Sequence, residues 1–452
     1  MSAVDDLIGL SDRHDIMSAA DEVELVDLQL CAARERFADH TERIGILRRR
    51  AQDTGVASIA RIEDLVPILF AHSTYKSYPV DWLHRGRWDR MTRWFATVSA
   101  TPMDNVDLDD VADVDDWLDR LVAAGHFAFT SSGTGGRVSF VDQSELDVDR
   151  VGRLLAIQFG WPRPAPITRE RAVFFLTASK GSGRIVYGFQ AQSRFHARPG
   201  EAYALSEEPI RLGDLNRLMV LEASIVAGTA SPSDLQEYQM RVSQNGPELE
   251  AAFERFAEKM LRYRNEPIVF QGQWPQMNRL VELMHDQGIP DGGWHPESIF
   301  FIGGGTKGVP LPVDYRERIE RFLAPGRHYR GYGMSENTTH APMCEVGRYH
   351  TAPWQIMFVL DEAGEVAAPR DAGPVTGRGA MMDLAWDGHW GGLIGGDWIT
   401  VDYGRCGCGR PGPTVEDSVM RYADVIGTVD DKISCAAAMD AYVRRALSGR
   451  TD

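Results

Sequence analysis

Along most of the chain, short apolar runs rich in β-branched and aromatic residues alternate with longer segments whose apolar positions follow helical spacing. The short runs predict strands at FAFT (127–130), VSFV (138–141), AVFFL (172–176), RIVYGF (184–189), PIVF (267–270) and SIFFIGG (298–304). The longer segments predict helices at SELDVDRVGRLLAIQF (144–159), PELEAAFERFAEKMLRY (247–263), QMNRLVELMHDQ (276–287) and VDYRERIERFLA (313–324). This alternation is typical of an α/β architecture whose sheets are mostly buried.

The two ends of the chain show different patterns. LVDLQLCAARERF (25–37) and TERIGILRRRA (41–51) predict that the first hundred residues form a helical layer. TAPWQIMFVLDEAGEV (351–366) and GGDWITVDYG (395–404) predict strands of a small β-rich subdomain. The acidic run at 104–119 is expected to be a solvated surface.

Two residues predict helix boundaries between these segments. Gly288 follows the helical pattern of 276–287, where a left-handed glycine commonly ends a helix. Asp314 precedes the pattern of 313–324 closely enough to cap that helix at its start.

A loop of small hydroxyl and glycine residues separates the first two predicted strands, in the segment FAFTSSGTGGRVSF at 127–140. Glycine and short hydroxyl residues let many backbone and side-chain donors surround an extended anion such as a polyphosphate. The donors, bending points and positive charge are supplied by Thr130, Ser131, Ser132, Gly133, Thr134, Gly135, Gly136 and Arg137. The loop lacks the G-x-x-x-x-G-K-[ST] pattern of the common nucleotide hydrolases, and taken alone such a loop is more often a plain hairpin turn.

Two later segments carry further candidate chemistry. SIFFIGGGTKG (298–308) is a strand that runs into Gly303, Gly304 and Gly305, where bare backbone allows a flat ring to lie against the chain. HYRGYGMSENTTHAPMC (328–344) places Tyr332, Gly333, Met334, Ser335 and Glu336 in succession. These residue types supply a stacking face, close approach, a phosphate donor and a magnesium ligand, although a core tyrosine and a surface carboxylate are the simpler alternatives.

Composition and charge exclude some classes of partner. The chain has 452 residues and a formal net charge of -17, which argues against binding a nucleic-acid backbone. We find no long apolar span and no export leader, so we expect no membrane insertion and a cytoplasmic location. Lysine occurs only at positions 76, 180, 259, 307 and 432.

Cysteine and histidine positions predict a structural zinc site. Cys344 and His350 are spaced C-x5-H, and Cys406 and Cys408 lie in the glycine-containing turn CGCGR. Three thiolates and one imidazole form a closed tetrahedral zinc site without an open position for catalysis. Free thiols are the alternative, while a disulfide is disfavoured in a reducing compartment.

The order of the motifs resembles a known family. TSSGTGG, GGG, YGMSE, then GGD (395–397) and RYADVI (421–426) are similar to the motifs of the adenylate-forming superfamily of acyl- and aryl-CoA synthetases. Over roughly 65–430, the chain is most similar to the phenylacetate-CoA ligase branch and to the acyl-protein synthetase of bacterial bioluminescence. The resemblance implies a large adenylate-forming N-terminal domain of packed sheets and helices with a small β-rich subdomain.

The expected organisation has four segments. These are a helical N-terminal layer (1–100), a nucleotide- and acid-binding α/β core (101–345), a β-rich subdomain with the zinc site (346–424) and a short C-terminal remnant (425–452). The family normally continues with a mobile C-terminal domain, which is expected to be truncated in this chain.

The resemblance implies a role for each motif. The loop at 130–137 would hold the β- and γ-phosphates of ATP, although Gly135 and Arg137 depart from the usual threonine and lysine. The triple glycine and Tyr332 would enclose adenine. The remaining nucleotide contacts would come from Gly333, Met334, Ser335 near the α-phosphate, Asp397 on the ribose hydroxyls and Arg421. Glu336 would bind Mg²⁺.

The acid and the acyl acceptor are less constrained. By the same resemblance, the acid would contact Trp274, Pro275, Asn337 and His340, and the aromatic residue favours an aryl acid. Lys307 or Lys432 would replace the lysine that the missing domain normally supplies. Cys435 near the C terminus is a possible acyl acceptor or a buried thiol.

The expected function is ATP-dependent activation of a small carboxylic acid as an acyl adenylate, with release of pyrophosphate. Transfer would follow to CoA or another nucleophile. One alternative is transfer to an amine, a hydroxyl or a protein thiol in specialised metabolism without CoA. The other is a nucleotide-binding protein that has lost turnover.

Overall fold

The computed structural model describes residues 2–13, 15–18, 22–130, 138–181, 183–209, 211–226, 228–304, 309–371 and 373–427. These residues divide into two compact units. The first contains the residues up to 130, Ser139–Leu154 and the residues from 331 onward, and the second contains residue 138 and 155–330. The division does not follow the segment boundaries expected at 100/101 and 345/346.

The helices alternate with strands through the middle of the chain, as predicted. The α-helices are α1 (Ala3–Gly9), α2 (Glu22–Arg43), α3 (Gly45–Thr54), α4 (Val80–His84), α5 (Trp88–Val98), α6 (Val114–Ala123), α7 (Glu145–Gln158), α8 (Arg184–His196), α9 (Leu212–Val226), α10 (Pro232–Arg262), α11 (Trp274–Asp286), α12 (Tyr315–Leu323) and α13 (Tyr422–Ile426). Short 3-10 helices span Leu10–Asp12, Ile16–Ser18, Ile62–Ile68 and His72–Lys76.

The strands are concentrated in the second half of the chain. They are β1 (Phe70–Ala71), β2 (Phe129–Thr130), β3 (Phe140–Val141), β4 (Arg171–Ala178), β5 (Ala197–Ser206), β6 (Ile268–Gln273), β7 (Ile299–Gly303), β8 (Arg327–Tyr329), β9 (Gly331–Tyr332), β10 (Ala341–Pro342), β11 (Arg348–His350), β12 (Gln355–Leu360), β13 (Val375–Asp383), β14 (Gly392–Asp402), β15 (Thr414–Glu416) and β16 (Met420–Arg421).

The second unit is built on a parallel sheet. Its strand order is β5-β4-β6-β7-β8, and every neighbouring pair is parallel. Every residue of β4 is buried, which explains its uninterrupted apolar sequence. Phe174, Phe270 and Phe300 follow one another across the register and join the buried cluster that α10, α11 and α12 cover.

One strand prediction in this unit is wrong. RIVYGF belongs to helix α8, where Val186, Phe189, Gln192 and His196 are the buried positions. The six residues contain enough β-branched and aromatic side chains to resemble a strand. The helical spacing of the buried residues becomes visible only when the sequence window extends to residue 196. The helical periodicity of this longer segment outweighs the strand propensity of the six residues.

The first unit is built around β14. The sheet path is β11-β15-β14-β13-β12, and β1 and β16 also pair with β14. β1 runs parallel to β14, whereas the other pairs in this sheet are antiparallel. The predicted strands in 351–366 and 395–404 correspond to β12 and β14, which confirms β-rich structure in this part of the chain.

The N-terminal helices pack within the first unit through one face of α2. Gln29 Nε2 donates to Pro353 O at 2.8 Å, Arg36 Nε donates to Leu384 O at 3.0 Å, and His40 Nε2 lies 3.1 Å from Asp387 O. Burial lowers the pKa of His40 to about 3, so the ring is neutral at physiological pH. The helical layer predicted for the first hundred residues is therefore tied to loops from the far end of the sequence.

The predicted helix boundaries have mixed outcomes. Gly288 has a left-handed φ of 77° directly after α11, which confirms its role as the helix end. Asp314 occupies the position before α12, but its side chain makes no capping hydrogen bond. In the acidic run, Asp113 caps α6 by accepting from the backbone N–H groups of Asp115 and Asp116.

None of the helices in the described ranges has the length and apolar composition needed to cross a bilayer. The longest of them, α10, has charged residues throughout its length.

Gly391 offers a direct test of close packing in the first unit. A Cβ atom there would lie 2.0 Å from the carbonyl oxygen of Asp383, which is backbone and has little room to move. We expect Gly391→Ala to lower the free energy of unfolding by roughly 1 to 3 kcal/mol or more, measured by urea denaturation. Gly9→Ala is the control, because a Cβ at Gly9 meets no atom within 4 Å. Equal stability of the two variants would contradict the close approach.

Candidate functional site

The segment from Gly331 to Pro342 forms a narrow turn whose two ends pair as β9 and β10. Ala341 lies opposite Tyr332, and His340 lies close to Gly331 in β9 and to Gly333, which follows β9. A Cβ would lie 2.8 Å from His340 Cβ if built on Gly331, and 3.1 Å from His340 Cδ2 if built on Gly333. Both glycines are therefore required for this arrangement, which brings the predicted residues Tyr332, Gly333 and His340 together.

A buried carboxylate holds the inner side of this turn. Asp383 Oδ2 accepts hydrogen bonds from Thr338 N at 2.8 Å, Thr338 Oγ1 at 2.7 Å and Gln355 Nε2 at 3.1 Å. Its Oδ1 accepts from Ala385 N at 3.2 Å. Burial raises the pKa of Asp383, and the hydrogen bonds from Thr338 and Gln355 oppose that effect. Sequence reasoning missed this residue because nothing local distinguishes it from other aspartates.

Three predicted nucleotide-binding residues meet on the outer side of the turn. Tyr332 Oη donates to Asp397 Oδ2 at 3.1 Å, and Arg421 Nη1 donates to Asp397 Oδ1 at 2.9 Å. Asp397 in β14 and Arg421 in β16 are register partners, so the sheet itself brings them together. Burial and the neighbouring charge of Asp397 raise the pKa of Tyr332 well above its usual value.

This cluster has the hydrogen-bonding capacity for a ribose. A carboxylate has about four lone-pair sites, and each oxygen of Asp397 accepts one hydrogen bond from Tyr332 or Arg421. Each oxygen can therefore accept a second donor, such as a ribose hydroxyl. The half-buried ring of Tyr332 supplies an aromatic face beside that carboxylate.

The remaining residues of the turn differ in burial. Met334 packs toward β14, since a Cβ on Gly395 would lie 3.4 Å from Met334 Cε. Ser335 and Glu336 are half-buried, and the Glu336 carbonyl accepts from Trp386 Nε1 at 2.8 Å. Asn337 is 2 % exposed, so its predicted contact with the acid would require a change in the turn.

The glycine- and serine-rich loop is joined to a short hairpin. Thr130 ends β2, is buried, and lies opposite Phe140 of β3. The other predicted members of this loop, Ser131, Ser132, Gly133, Thr134, Gly135, Gly136 and Arg137, lie outside the described residues. Two buried residues that flank the hairpin in sequence also meet: His126 Nδ1 lies 3.0 Å from Asp142 Oδ2. This pair joins the chain before β2 to the chain after β3, and sequence reasoning missed it.

Two predicted features of the second unit lie at the carboxyl ends of two neighbouring strands, β6 and β7, of its parallel sheet. Gly303 ends β7 and is the register partner of Gln273, which Trp274 follows. Gly304 has a left-handed φ of 74°. Trp274 is 6 % exposed and packs against Tyr315, while Pro275 occupies the first turn of α11. Gly305, Lys307 and Lys432 lie outside the described residues.

The predicted zinc ligands come together in the first unit. The ligand atoms of Cys344, His350, Cys406 and Cys408 all lie within 4.8 Å of one another. Cys344 Sγ is 3.9 Å from Cys406 Sγ, and Cys408 Sγ is 3.4 Å from His350 Nε2. A tetrahedral ion with bonds of about 2.3 Å to sulfur and about 2.0 Å to nitrogen would separate its ligands by about 3.8 Å and 3.5 Å. The four residues therefore fit zinc, and the three cysteines among them are free in this structure.

Two similar turns present the cysteines. Cys344 N donates to Arg348 O and Gly347 N donates to Cys344 O, at 2.8 and 3.0 Å. The turn at Cys406 repeats both bonds with Arg410 and Gly409, each at 2.9 Å. The third residue after each cysteine is a glycine with a left-handed φ, 77° at Gly347 and 89° at Gly409. The shared pattern C-x-x-G-R is visible in the sequence and would have strengthened the metal prediction.

The two cysteines of the second turn, Cys406 and Cys408, have pKa values that are shifted in opposite directions. Burial raises the pKa of Cys406 to about 11. Burial acts in the same direction on Cys408, but hydrogen bonds from Arg410 outweigh it and lower the pKa. Arg410 also contacts Asp15 at 2.7 Å and Glu345 at 2.8 Å, so it ties the N-terminal segment to the cysteine turn.

Comparisons with known proteins give a fold but no family assignment. No protein-family model and no curated protein sequence matches the chain. A solved structure of 2-hydroxyisobutyryl-CoA ligase, in the postadenylation state with R3-HIB-AMP, has a TM-score of 0.51 at 12 % identity and covers 91 % of this chain and 71 % of that chain. Its open conformation with 2-HIB-AMP and CoA has a TM-score of 0.51 at 13 % identity and covers 91 % and 79 %.

The thioesterification state of the same ligase has a TM-score of 0.50 at 13 % identity and covers 90 % of this chain and 70 % of that chain. At these identities the likeness concerns the fold alone. The described residues thus have a mixed α/β fold like that of these ligase structures, which confirms the α/β fold class predicted from the sequence.

Asp383→Asn tests whether the buried carboxylate organises the turn. An amide would replace one acceptor oxygen by an N–H₂ group facing a donor, so at least one buried N–H or O–H would lose its partner. We expect a loss of about 1 to 3 kcal/mol in the free energy of unfolding, measured by urea denaturation. The control is Asp361→Asn at an exposed turn, where the carboxylate accepts from Glu365 N and Val366 N. Equal losses in both variants would refute the role of Asp383.

Proposed function

We propose that the protein activates a carboxylic acid with ATP, forming an acyl adenylate and releasing pyrophosphate. The observation that carries this proposal is the meeting of Tyr332, Asp397 and Arg421 beside the turn at 333–340. The fold likeness to a ligase solved with acyl-AMP ligands supports it.

In this proposal the residues of the first unit bind the nucleoside part of ATP. Asp397 accepts hydrogen bonds from the ribose hydroxyls, and Tyr332 stacks against adenine. Met334, Gly333 and Arg421 shape and charge the same surface. Ser335 approaches the α-phosphate, and the loop at 130–137 holds the β- and γ-phosphates.

The chemistry depends on positioning and charge. The carboxylate oxygen attacks the α-phosphorus, and the bond from that phosphorus to the pyrophosphate oxygen breaks. Magnesium bound at Glu336 would neutralise part of the charge on the leaving pyrophosphate. A lysine, for which Lys307 and Lys432 are the sequence candidates, would assist at the carboxylate.

The finer features of the proposal concern the acid and the acceptor. We propose an aryl acid as the substrate, because an aromatic side chain such as that of Trp274 suits a flat ring. CoA is the first candidate acceptor, since two of the solved ligase structures with this fold contain CoA. An amine, a hydroxyl or a protein thiol is the alternative, and Cys435 would be an acceptor within the chain.

The proposed activity is tested by acid-dependent release of pyrophosphate from ATP and by detection of acyl-AMP with mass spectrometry. A panel of aryl, hydroxy and fatty acids is supplied with Mg²⁺, with and without CoA. Glu336→Gln should reduce turnover by about a hundredfold or more without a change in melting temperature, because the amide is a poor magnesium ligand. Glu365→Gln, at an exposed turn position, is the matched control.

The outcomes separate the alternatives. Pyrophosphate release with any acid supports adenylation, and the dependence on CoA then identifies the acceptor class. ATP binding without acyl-AMP formation across the whole panel would favour a nucleotide-binding protein without turnover. Unchanged turnover in Glu336→Gln would show that this carboxylate is not the magnesium ligand.

We further propose that Cys344, His350, Cys406 and Cys408 bind a structural zinc ion. The fit of their separations to a tetrahedron supports this assignment, as does their burial. The ion would tie the turn between β10 and β11 to the turn between β14 and β15. With four protein ligands it has no open coordination position and takes no part in the reaction.

Zinc binding predicts about one zinc ion per chain in elemental analysis of the purified protein. Cys344→Ser should remove most of the metal and lower the melting temperature, because the site loses one of four ligands. Cys31→Ser should leave both quantities unchanged, since Cys31 is exposed on α2 and is not one of the clustered ligands. A metal-free wild-type protein whose four cluster residues can be replaced without loss of stability would refute the assignment.

A further inference from the structure

Arg410 ends the turn that carries two of the clustered cysteines, and its side chain contacts three separate segments of the first unit. Its Nε donates to Asp15 Oδ2 at 2.7 Å, and its Nη1 donates to Glu345 Oε2 at 2.8 Å. The side chain also donates a hydrogen bond to Cys408. Glu345 directly follows Cys344 in the sequence, so one guanidinium connects both cysteine turns with the N-terminal segment.

The guanidinium of Arg410 is held in one orientation. Its side chain is 15 % exposed, and the carboxylate of Glu345 accepts from both Nη1 and Nη2, at 2.8 and 3.4 Å. Together with Asp15 on Nε, these bonds fix the plane of the group, and N–H donors remain for Cys408. A planar fork can serve several acceptors at once, whereas the ammonium group of a lysine is a single point of charge.

The charge of the cluster explains what Arg410 contributes to it. A zinc ion bound by three thiolates and one neutral imidazole carries one net negative charge. Cys344, His350 and Cys406 are buried, so water compensates that charge poorly. A residue that donates a hydrogen bond to a metal ligand holds the ligand in place, and its loss commonly weakens metal binding about tenfold to a hundredfold. Arg410 supplies both a donor and a compensating charge.

Asp15 extends the same contact into the N-terminal segment. While its Oδ2 accepts from Arg410, its Oδ1 accepts from Met17 N at 3.2 Å, and its carbonyl accepts from Ser18 N at 3.1 Å. These bonds begin a short 3-10 helix whose first two residues are buried. The arginine beside the cysteine cluster therefore also holds the start of this helix.

We propose that Arg410 positions Cys408 in the zinc site and couples metal binding to the N-terminal segment through Asp15. The inference rests on the proposed zinc site and adds to it a residue that is not a ligand. Because a coupling free energy is reciprocal, zinc stabilises the docked segment to the same degree that the docked segment stabilises bound zinc. Arg410 acts through Cys408 and is thus a positioning residue.

The first test is the zinc affinity of the full chain, measured by competition with a chelator. Arg410→Ala should weaken zinc binding by about tenfold or more, because Cys408 loses a charged donor. Arg410→Lys should restore part of the affinity, since it keeps the charge without the fork. Arg348→Ala is the matched control at the same position of the first turn. Arg348 pairs with Glu416 at 2.7 Å, and its loss should change the affinity by less than about threefold.

The second test is hydrogen exchange of the amides at 15–18, measured by mass spectrometry at saturating zinc and after chelation. In the wild type, chelation should speed this exchange by about tenfold or more, because the contact with Asp15 loosens. In Arg410→Ala, chelation should change it by less than about threefold, since the link between metal and segment is already broken. Arg348→Ala should respond to chelation as the wild type does.

The results distinguish this inference from the zinc assignment. If the wild type binds no zinc, the zinc site fails and the inference fails with it. If the wild type binds zinc and Arg410→Ala binds it equally tightly, only the inference is overturned. Equal weakening in Arg410→Ala and Arg348→Ala, or an equal response to chelation at 15–18 with and without the arginine, also overturns it. If Arg410→Ala does not fold, Arg410→Lys takes its place, and wild-type affinity in that variant overturns the inference.

Discussion

The turn that carries the candidate site depends on one buried carboxylate. Asp383 is inaccessible to solvent, yet four hydrogen bonds from Thr338, Gln355 and Ala385 compensate its burial. Trp354 Nε1 adds a bond to Thr338 Oγ1 at 3.0 Å. Because these bonds fix the inner side of the turn, the positions of Tyr332 and Glu336 on its outer side are set from within.

Strand β14 brings separate segments of the chain together at the candidate site. It contains Asp397, pairs with β16 at Arg421, and also pairs with β1. Gly395 leaves room for Met334 at the same point. Segments about 300 residues apart in sequence are therefore brought together by strand pairing, which is why the motifs carry chemistry only as a set.

The sequence predicted the elements better than the contacts between them. Strands such as β4 and β7 and helices such as α11 were predictable because their periodicity is local, whereas α8 was read as a strand from too short a window. Edge strand β5 was not predicted, since it is mostly half-exposed and lacks a strong apolar pattern. Asp383 and the pair His126–Asp142 were unpredictable, because their roles come from partners distant in sequence.

Tyr332 and Arg421, the two residues that donate hydrogen bonds to Asp397, differ in how firmly they are held. The Arg421 side chain is 70 % exposed and that of Asp397 is 13 % exposed, so their ion pair is largely solvated and contributes at most about 1 kcal/mol. Tyr332, in contrast, is held by the pairing of β9 and β10 and by contact with Tyr349. A polar ligand can therefore displace Arg421 from the carboxylate at small cost while Tyr332 stays in place. The cluster combines a fixed aromatic wall with an exchangeable cation, which suits the proposed binding and release of a nucleotide.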